Sequence, residues 1–373
     1  MIAIYMGITI YKEGTMNKKI FILAINPGST STKVALYENN TEIAKKNIEH
    51  PRNVLDQYDT VASQYTMRYE SVLIFLEDIY FDIRKLSLVV GRGGLLPPVK
   101  SGAYIVNDAM VDRLANRPVV EHASNLGAMI AYEIAKPLGI NAYIYDSVAV
   151  DELSDIARIS GMKDIPRESF SHALNMRAVA HEVANDLNQP YKDLNIIVAH
   201  LGGGISISMH EKGKMVDIVS DDEGPFSPER SGRVPCKRLI EMCYSGDYDF
   251  KTVKKKLRGQ GGLITYLGTS DAQDVEKRID NGDKIAEEVY EAMAYQVSKG
   301  IGELATVVSG HVDAIAITGG IAYSDRMTTW IKNRTSFIAP VHIHPGENEL
   351  ESLALGALRV HLHEEQAQEY TLG

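Results

Sequence analysis

Residues 20–37 constrain the fold most, because two apolar runs there enclose a short polar turn. Ile20–Ile25 is continuously apolar, as is typical of a strand buried on both faces of a sheet, and Lys33–Tyr37 predicts the returning strand. The turn between them consists of Asn26, Pro27, Gly28, Ser29, Thr30, Ser31 and Thr32. Its hydroxyl and amide groups could donate several hydrogen bonds to an anion. A phosphate-binding hairpin and an ordinary polar turn are both open, and the P-loop pattern is absent.

Length and charge narrow the class of protein. A chain of 373 residues favours two domains. The net charge of −10 argues against a nucleic acid or an anionic membrane as the main partner, so an anionic ligand would need locally placed cations. No apolar run is long enough to span a membrane. We therefore expect no nucleic-acid partner and no membrane partner.

The cysteines and the N-terminus favour a cytoplasmic protein. Cys236 and Cys243 lie off the C-x-x-C spacing of redox and zinc motifs. Met1–Lys19 lacks the features of a signal peptide, and Met16 looks like a natural start. Residues 1–15 are therefore expected to form an extension outside the core. An extra edge strand over Ile2–Tyr11 remains the alternative.

A second hairpin repeats the opening pattern in the other half of the chain. Asn195–Leu201 is an apolar strand, Gly202, Gly203 and Gly204 form the turn, and Ile205–Met209 returns. Two such hairpins predict a duplicated architecture, with two similar domains facing a cleft. The strand Ala314–Thr318 ends in Gly319, Gly320, Ile321 and Ala322, a strand-to-helix turn that would let a nucleotide approach closely.

Apolar periodicity predicts the remaining elements that matter here. Helices are expected over 57–86, over Ser124–Ala135 with Pro137 beyond its end, over 283–310 and from Leu350 onward. A strand is expected over Ser336–Ile343. The pairs His342/His344 and His361/His363 show no metal-type partner at evident spacing, so they are interpreted as structural or solvated.

Three polar residues stand where ligands commonly bind in α/β proteins. Arg92 lies between glycines after the apolar run Leu86–Val90, His122 precedes a helix N-terminus, and Asp146 follows the strand Asn141–Tyr145. Strand ends and helix N-termini favour ligands and anions. The alternatives are a solvated arginine, a structural histidine and an N-cap aspartate.

Taken together, the motifs resemble the butyrate kinase branch of the acetokinase family, which includes branched-chain fatty-acid kinases. The resemblance covers the chain from Lys19 onward, with nine motifs in family order. These are Ile25–Lys33, Gly91–Gly94, His122–Asn125, Tyr145–Ser147, Ser169–Asn175, His200–Gly204, Pro228–Arg233, Ile317–Ala322 and Pro345–Glu349.

The resemblance implies an α/β fold of two duplicated ribonuclease H-like domains, the actin-like ATPase type, with a central nucleotide cleft. Domain I would contain residues 16–150 and 351–373, and domain II residues 151–350. The implied reaction is a reversible, Mg²⁺-dependent transfer of phosphate from ATP to a short-chain carboxylate, which gives an acyl phosphate and ADP. A homodimer or a multiple of dimers is expected.

The resemblance also implies residue roles. Arg92 and Arg230 would hold the carboxylate and the transferring phosphoryl group, and His172 would touch that group with His122 nearby. Asn26, Asp146 and Glu349 would organise Mg²⁺, with Glu349 favoured over Glu347 and Glu351. The nucleotide and its phosphates would contact Asn26, Gly28, Ser29, Thr30, Ser31, Lys33, His200, Gly202, Gly203, Gly204, Gly319, Gly320, Ile321 and Ala322.

The chemistry of the acceptor supports this set of residues independently. A carboxylate is already ionised at neutral pH and needs no general base, but it must approach a triphosphate of the same charge sign. Arginines, histidines and Mg²⁺ meet that need, whereas a sugar kinase would use a carboxylate base. A binding module of the same fold, the non-enzymatic alternative, would have no reason to keep these acceptor-side residues.

Two small residues separate this chain from the acetate-specific members. Ser171 stands where those carry a bulky aromatic residue, and Gly94 where they carry a branched apolar one. Smaller side chains in the acyl pocket would favour butyrate, isobutyrate or related acids, at about 0.8 kcal/mol per buried methylene. An acetate or propionate kinase remains the alternative.

Overall fold

The structure is a computed structural model that describes residues 19–169 and 171–371. The predicted extension, 1–15, lies outside them. The described residues form twelve strands and twelve α-helices. The strands are β1 (Phe21–Pro27), β2 (Ser31–Glu38), β3 (Thr41–Glu49), β4 (Leu88–Arg92), β5 (Ala103–Ile105), β6 (Asn141–Tyr145), β7 (Asn195–Leu201), β8 (Ile205–Glu211), β9 (Lys214–Val219), β10 (Ala314–Gly319), β11 (Val341–Pro345) and β12 (Gln368–Glu369).

The helices lie between and after these strands. They are α1 (Arg52–Leu55), α2 (Tyr65–Asp78), α3 (Asp108–Asn116), α4 (Asn125–Leu138), α5 (Ala173–Asp186), α6 (Cys236–Cys243), α7 (Phe250–Leu257), α8 (Leu263–Leu267), α9 (Ala272–Asp280), α10 (Lys284–Ala305), α11 (Asp325–Thr335) and α12 (Glu349–His361). In the part of the chain that the structure describes, none of them is both long and apolar enough to cross a bilayer.

The two sheets share one five-stranded arrangement, to which the first sheet adds β5 and β12. Their strand orders are β12-β5-β6-β4-β1-β2-β3 and β11-β10-β7-β8-β9. In the first, β1–β3 form an antiparallel meander and β1 pairs in parallel with β4, which pairs in parallel with β6. In the second, β7–β9 form the meander and β7, β10 and β11 are the parallel strands. The predicted duplicated α/β architecture is confirmed.

Helices cover both faces of each sheet, so the central strands are buried throughout. α2, α3 and α4 pack on one face of the first sheet and α12 on the other. α10 and α11 pack on one face of the second sheet and α5 on the other. Leu174 of α5 joins the cluster of α12, so these two helices lie between the sheets. The division at 150 and 350 remains a prediction.

Several predicted boundaries were wrong for local reasons. The helix expected over 57–86 is confined to α2, because Tyr80 adopts a positive φ of 54° and Asp82 caps a separate 3₁₀ turn. The strand expected from Ser336 begins only at Val341, because α11 continues to Thr335. Pro137 lies inside the last turn of α4, which ends at Gly139 with φ of 64°. The short strands β5, β9 and β12 were not predicted.

Candidate active site

A buried arginine holds the turn of the first hairpin through hydrogen bonds to its backbone. Gly28 N–H donates to Ser31 O across the turn at 2.8 Å. Arg68 of α2, which is fully buried, donates to the carbonyl oxygens of Gly28 and Ser31 at 2.9 Å each and of Ser29 at 3.1 Å. The turn is therefore rigid, and its carbonyl groups are occupied by the protein. Sequence analysis missed Arg68, which is about 40 residues away from its partners.

A cavity of about 210 Å³ opens beside this turn. It is lined by Asn26, Pro27, Gly28, Ser31, Lys33, Arg92, His122, Ser124, Val148 and Glu349. β1, β4 and the first turn of α12 converge here, because Arg92 ends a strand that runs parallel to β1 and Glu349 begins the helix packed on both. Ser29 and Thr30 are exposed on the turn and do not line this cavity.

The carboxylate of Glu349 contacts polar side chains near the ends of β1 and β4. Its Oε1 lies 3.0 Å from Nη1 of Arg92, and its Oε2 accepts a hydrogen bond from Nδ2 of Asn26. Arg92 is only 8% exposed, and its Nη1 lacks a well-aligned hydrogen-bond acceptor. A buried guanidinium with an unsatisfied N–H is suited to receive an anion.

His122 faces the same cavity as a neutral ring. Ser124 N–H donates to its Nδ1 at 3.2 Å, so the neutral ring carries its proton on Nε2. Burial, together with the neighbouring Arg92, lowers the pKa of His122 below its ordinary value. His122 therefore offers a hydrogen-bond donor, not a positive charge.

A second group of side chains surrounds the turn of the second hairpin. The rings of His172 and His200 stack with centroids 4.0 Å apart. His172 Nδ1 lies 3.0 Å from Ser206 Oγ, and His200 Nδ1 lies 2.8 Å from Asn175 Oδ1. His200 Nε2 is 3.0 Å from Oε1 of Glu347.

Burial makes His172 neutral as well. It lowers the pKa of His172 to about 3, with His200, Arg230 and Arg92 acting in the same direction and Glu347 opposing. The neutral rings of His122 and His172 therefore offer hydrogen bonds to an anion, and positive charge comes from Arg92, Arg230 and Lys33.

Arg230 lies directly over the glycine turn. A Cβ at Gly204 would come within 2.3 Å of Nη1 of Arg230, so only glycine allows this approach. Arg230 is paired with Asp221, whose Oδ2 is also 3.1 Å from Nη2 of Arg258. Burial, and secondarily Arg258, lowers the pKa of Arg230 to about 10, which leaves it charged at neutral pH.

Gly203 is exposed in the second turn, whereas Gly202 is buried. Ser227 Oγ donates to the carbonyl oxygen of Gly203 at 2.7 Å, and nothing lies within 4 Å of a Cβ placed on Gly203. A Cβ on Gly202 would be 3.0 Å from His200 Nε2 and 3.2 Å from Glu347 Oε1. The turn thus borders His200, Glu347 and Arg230, as its counterpart in β1–β2 borders Arg92 and Glu349.

One loop joins the two groups. Gly346, with φ of 100°, exchanges backbone hydrogen bonds with Gly319 at 3.0 and 3.2 Å. Two glutamates follow Gly346 in this loop. Glu347 contacts His200, and Glu349 contacts Arg92. Lys33 acts electrostatically on Glu347, and Arg92 and Arg230 both act on His172. The side chains of both halves therefore form one electrostatic cluster. Sequence analysis had considered Glu347 only as an alternative to Glu349 at the metal.

The predicted nucleotide turn is only partly open. Gly319 has φ of 91°, and a Cβ there would be 2.4 Å from Leu201 O, so glycine is required. Ile321 and Ala322 are buried, whereas Gly320 is exposed with nothing near its Cβ position. α9 flanks this turn, because Ser324 donates to Glu276.

The structure does not bring Asp146 into the cavity. Its side chain is fully buried, Oδ1 accepts from Gly102 N–H at 2.8 Å and Oδ2 from Arg177 Nε at 2.9 Å. Each oxygen already accepts one hydrogen bond, and Asp146 is absent from the lining of the cavity. The role of Asp146 as a metal ligand stays a prediction.

Gly94 packs closely against two helices. A Cβ there would lie 2.4 Å from Asn125 Oδ1 and 2.9 Å from Leu114 Cδ2. The space on its Cβ side is filled by α3 and α4, so glycine permits this close packing, and a contact of its backbone with an acyl chain stays a prediction. Ser171 Oγ is buried with no hydrogen-bond partner among the described residues, next to His172. Its contact with an acyl chain stays a prediction.

Comparison with known proteins places this geometry in a family context. The sequence profile of the Acetokinase family matches residues 165–332. Acetate kinase from Porphyromonas gingivalis is 18% identical, with a TM-score of 0.72 over 90% of this chain and 98% of that one. A propionate kinase from Francisella tularensis subsp. tularensis SCHU S4 is 19% identical, with a TM-score of 0.69 over the same shares.

A third solved structure agrees. Acetate kinase from Entamoeba histolytica is 17% identical, with a TM-score of 0.71 over 90% of this chain and 98% of that one. These likenesses confirm the predicted fold class of two duplicated ribonuclease H-like domains of the actin-like ATPase type. The chain therefore has the fold of acetate and propionate kinases, and its residues 165–332 match the Acetokinase family.

Proposed function

We propose that this protein is a carboxylate kinase, which transfers phosphate reversibly between ATP and a short-chain fatty acid. The observation that carries the proposal is the convergence of Arg92 and Arg230, from different halves of the chain, on two polar hairpin turns. One buried and one partly buried guanidinium group beside two such turns suit a reaction between two anions. The family match and the fold agree with it.

The acceptor would be held on the side of the first hairpin. Nη1 of Arg92 and the Nε2–H of His122 are two donors in that cavity for a carboxylate, and Lys33 adds a positive charge. Glu349, now paired with Arg92, would share or release the guanidinium when the acid binds. The apolar lining comes from Pro27 and Val148, against which the alkyl chain would pack.

The transferring phosphoryl group would lie between the two groups of side chains. Arg230 over Gly204 supplies positive charge, and neutral His172 supplies a hydrogen bond. The carboxylate oxygen attacks the terminal phosphorus directly, an O–P bond forms, and the bond to the ADP oxygen breaks. No proton moves, because carboxylic acids are ionised above about pH 4. Glu347 and Glu349 each face a partner, His200 and Arg92, which suits a reaction without a general base.

The donor set fits a divalent cation of the Mg²⁺ type. Asn26 and Glu349 bring an amide oxygen and a carboxylate to the cavity, and Mg²⁺ prefers oxygen ligands completed by phosphate and water. When bound, such a cation neutralises charge on the phosphate oxygens. The nucleoside would extend toward exposed Gly320 and α9.

We further propose butyrate, isobutyrate or a related four- or five-carbon acid as the substrate. The support is the small Ser171 beside His172 and the apolar Val148 in the lining of the cavity. Acetate or propionate is the second candidate, favoured by the two kinases to which the fold is similar. Cytoplasmic location and a dimeric assembly remain expectations.

Trapping the acyl phosphate as a hydroxamate tests both proposals at once. The assay uses the full chain with ATP and Mg²⁺ across acetate, propionate, butyrate, isobutyrate and isovalerate. Hydroxamate formation with any acid supports the carboxylate kinase, and a higher kcat/KM for four- and five-carbon acids supports the preference. Nucleotide binding without hydroxamate formation from any acid would favour the alternative of a non-enzymatic binding module.

A further inference from the structure

We propose a transition-metal site, suited to Zn²⁺, formed by Asp186, His342 and His344. Each residue offers one ligand atom, and these atoms lie within 4.8 Å of one another. None of the three lines the cavity described above. The proposal does not depend on the phosphoryl-transfer proposal.

The fold places the two histidines side by side. β11 is the edge strand of the second sheet, and residues two apart on a strand project from the same face. The rings of His342 and His344 are nearly parallel, at 18°, with centroids 6.5 Å apart. Asp186 ends α5, the helix that packs on this face of the sheet. Sequence spacing could not reveal the site, because its aspartate is more than 150 positions away from the histidines.

The distances match those between ligands around one tetrahedral ion. Asp186 Oδ2 is 3.4 Å from His344 Nε2 and 3.8 Å from His342 Nδ1. Zinc–ligand bonds of about 2.0–2.2 Å place neighbouring tetrahedral ligands roughly 3.3–3.6 Å apart. A shift of a few tenths of an ångström at His342 would complete the arrangement. The side chains of both histidines are a little over one-fifth exposed, so an ion could enter from solvent.

Glu182 supplies the outer carboxylate that metal-binding histidines commonly have. Its Oε2 lies 2.9 Å from Nδ1 of His344, while Nε2 of the same ring faces Asp186. Such a carboxylate–histidine pair fixes the tautomer that presents Nε2 to the metal and increases its basicity. Glu182 lies one helical turn before Asp186, so α5 presents both carboxylates to β11.

The ligand types select the class of ion. Two imidazoles and one carboxylate favour Zn²⁺, Co²⁺ or Ni²⁺, whereas Mg²⁺ and Ca²⁺ prefer oxygen ligands. Three protein ligands would leave a fourth position for water.

An ion pair of His344 with the two carboxylates explains the position of His344 but not that of His342. The hydrogen bond to Glu182 raises the pKa of His344, so a protonated His344 could bridge Glu182 and Asp186 without a metal. It does not explain why Asp186 Oδ2 also faces His342 at 3.8 Å, too far for a hydrogen bond. A proton would compete with the metal, so binding is best measured at about pH 8.

The test is calorimetric titration of the full chain with ZnCl₂, in millimolar MgCl₂ so that magnesium-type sites are filled. One zinc per chain is expected. H342Q and H344Q should weaken binding by a hundredfold or more, and E182Q by roughly tenfold. Co²⁺ added instead should give the visible absorption of a tetrahedral ion.

Matched variants make the outcome decisive. H311Q removes an exposed histidine elsewhere, and C236S/C243S removes both exposed thiols. Both should bind zinc as the parent chain does. Circular dichroism identifies any histidine variant that fails to fold. The zinc titration is then carried out with D186N instead of that variant. Zinc affinity unchanged in H342Q, H344Q and D186N, or no zinc bound in the presence of Mg²⁺, would overturn the proposal.

Discussion

At the residue scale, burial decides which polar groups can carry charge. Arg230 stays cationic although burial lowers its pKa to about 10, whereas His122 and His172, whose pKa values are also lowered by burial, are neutral. The reason is the difference in ordinary pKa. An arginine can lose two or more units and remain charged at neutral pH, and a histidine cannot.

Replacing Arg92 tests its electrostatic role. We expect Arg92→Ala to lower kcat/KM for the acid and ATP by about a hundred- to a thousand-fold, the usual effect of removing one such donor. Arg84→Ala is the matched control, because Arg84 is highly exposed and paired only with Asp82. Steady-state kinetics with the hydroxamate assay gives both values. Near-normal turnover of Arg92→Ala in a folded protein would contradict the assignment.

The buried neutral histidines predict a loss of stability in mild acid. Burial lowers the pKa of His172 and of His181 to about 3, and that of His210 well below its ordinary value. Below about pH 6.5 the unfolded chain binds protons that the folded chain does not. The free energy of unfolding therefore decreases as the pH is lowered. Each such histidine contributes up to about 1.4 kcal/mol per pH unit.

Urea unfolding measured from about pH 7.5 to about pH 5 checks this expectation. The midpoint should fall steadily below about pH 6.5. Replacing His181 by Gln should make the fall shallower, and an unchanged slope would argue that His181 is protonated in the folded state.

At the scale of elements, the close approach of β4 and α4 positions both Arg92 and His122. A Cβ on Gly91 would be 2.1 Å from the carbonyl oxygen of Gly127. Gly91 and Gly127 therefore let the helix lie directly on the strand, with Arg92 at the end of one and His122 just before the other.

Gly91→Ala is expected to force these elements apart. We expect a loss of more than about 2 kcal/mol in the free energy of unfolding, as for overpacked core sites. Gly302→Ala in α10 is the control, because nothing lies within 4 Å of its Cβ position and alanine favours helix by about 1 kcal/mol. Denaturant unfolding of both variants decides whether packing or backbone entropy dominates.

Most long elements could be predicted from sequence, and the short ones could not. β6 and β7 have the predicted bounds, because continuous apolar runs bounded by polar residues specify buried strands. β5 and β12 have three and two residues and owe their pairing to tertiary contacts. Motifs located Arg92, Arg230 and His172. The sequence did not predict the contacts of Arg68, Arg177 and Glu182, because their partners are remote in the sequence.

At the scale of the whole molecule, Arg177 of α5 connects the two halves. It is buried, and it binds Asp146 and Ser101 of the first half, the latter through Nη1 at 2.8 Å. The same Nη1 lies 3.3 Å from the carbonyl oxygen of Gly213 in the second half. Asp146, predicted as a catalytic and metal-binding residue, is in this structure part of that connection.

Removing the arginine should destabilise the whole chain. Arg177→Ala leaves the carboxylate of Asp146 buried and unpaired, which typically costs about 3–5 kcal/mol. Arg326→Ala removes a partly exposed pair with Asp280 and should cost about 1 kcal/mol or less. Thermal and urea unfolding compare the two, and similar losses would show that the buried pair contributes little.

The loop after β11 carries Glu347 to one hairpin and Glu349 to the other, with only one residue between them. A ligand that displaces one carboxylate by moving the loop also moves its neighbour. The affinities for the acid and for the nucleotide should therefore be thermodynamically linked, each ligand changing the other's dissociation constant by the same factor. Calorimetric titration of the nucleotide with and without a saturating acid would measure that factor, and Gly346, hydrogen-bonded to Gly319, is the residue about which the loop would pivot.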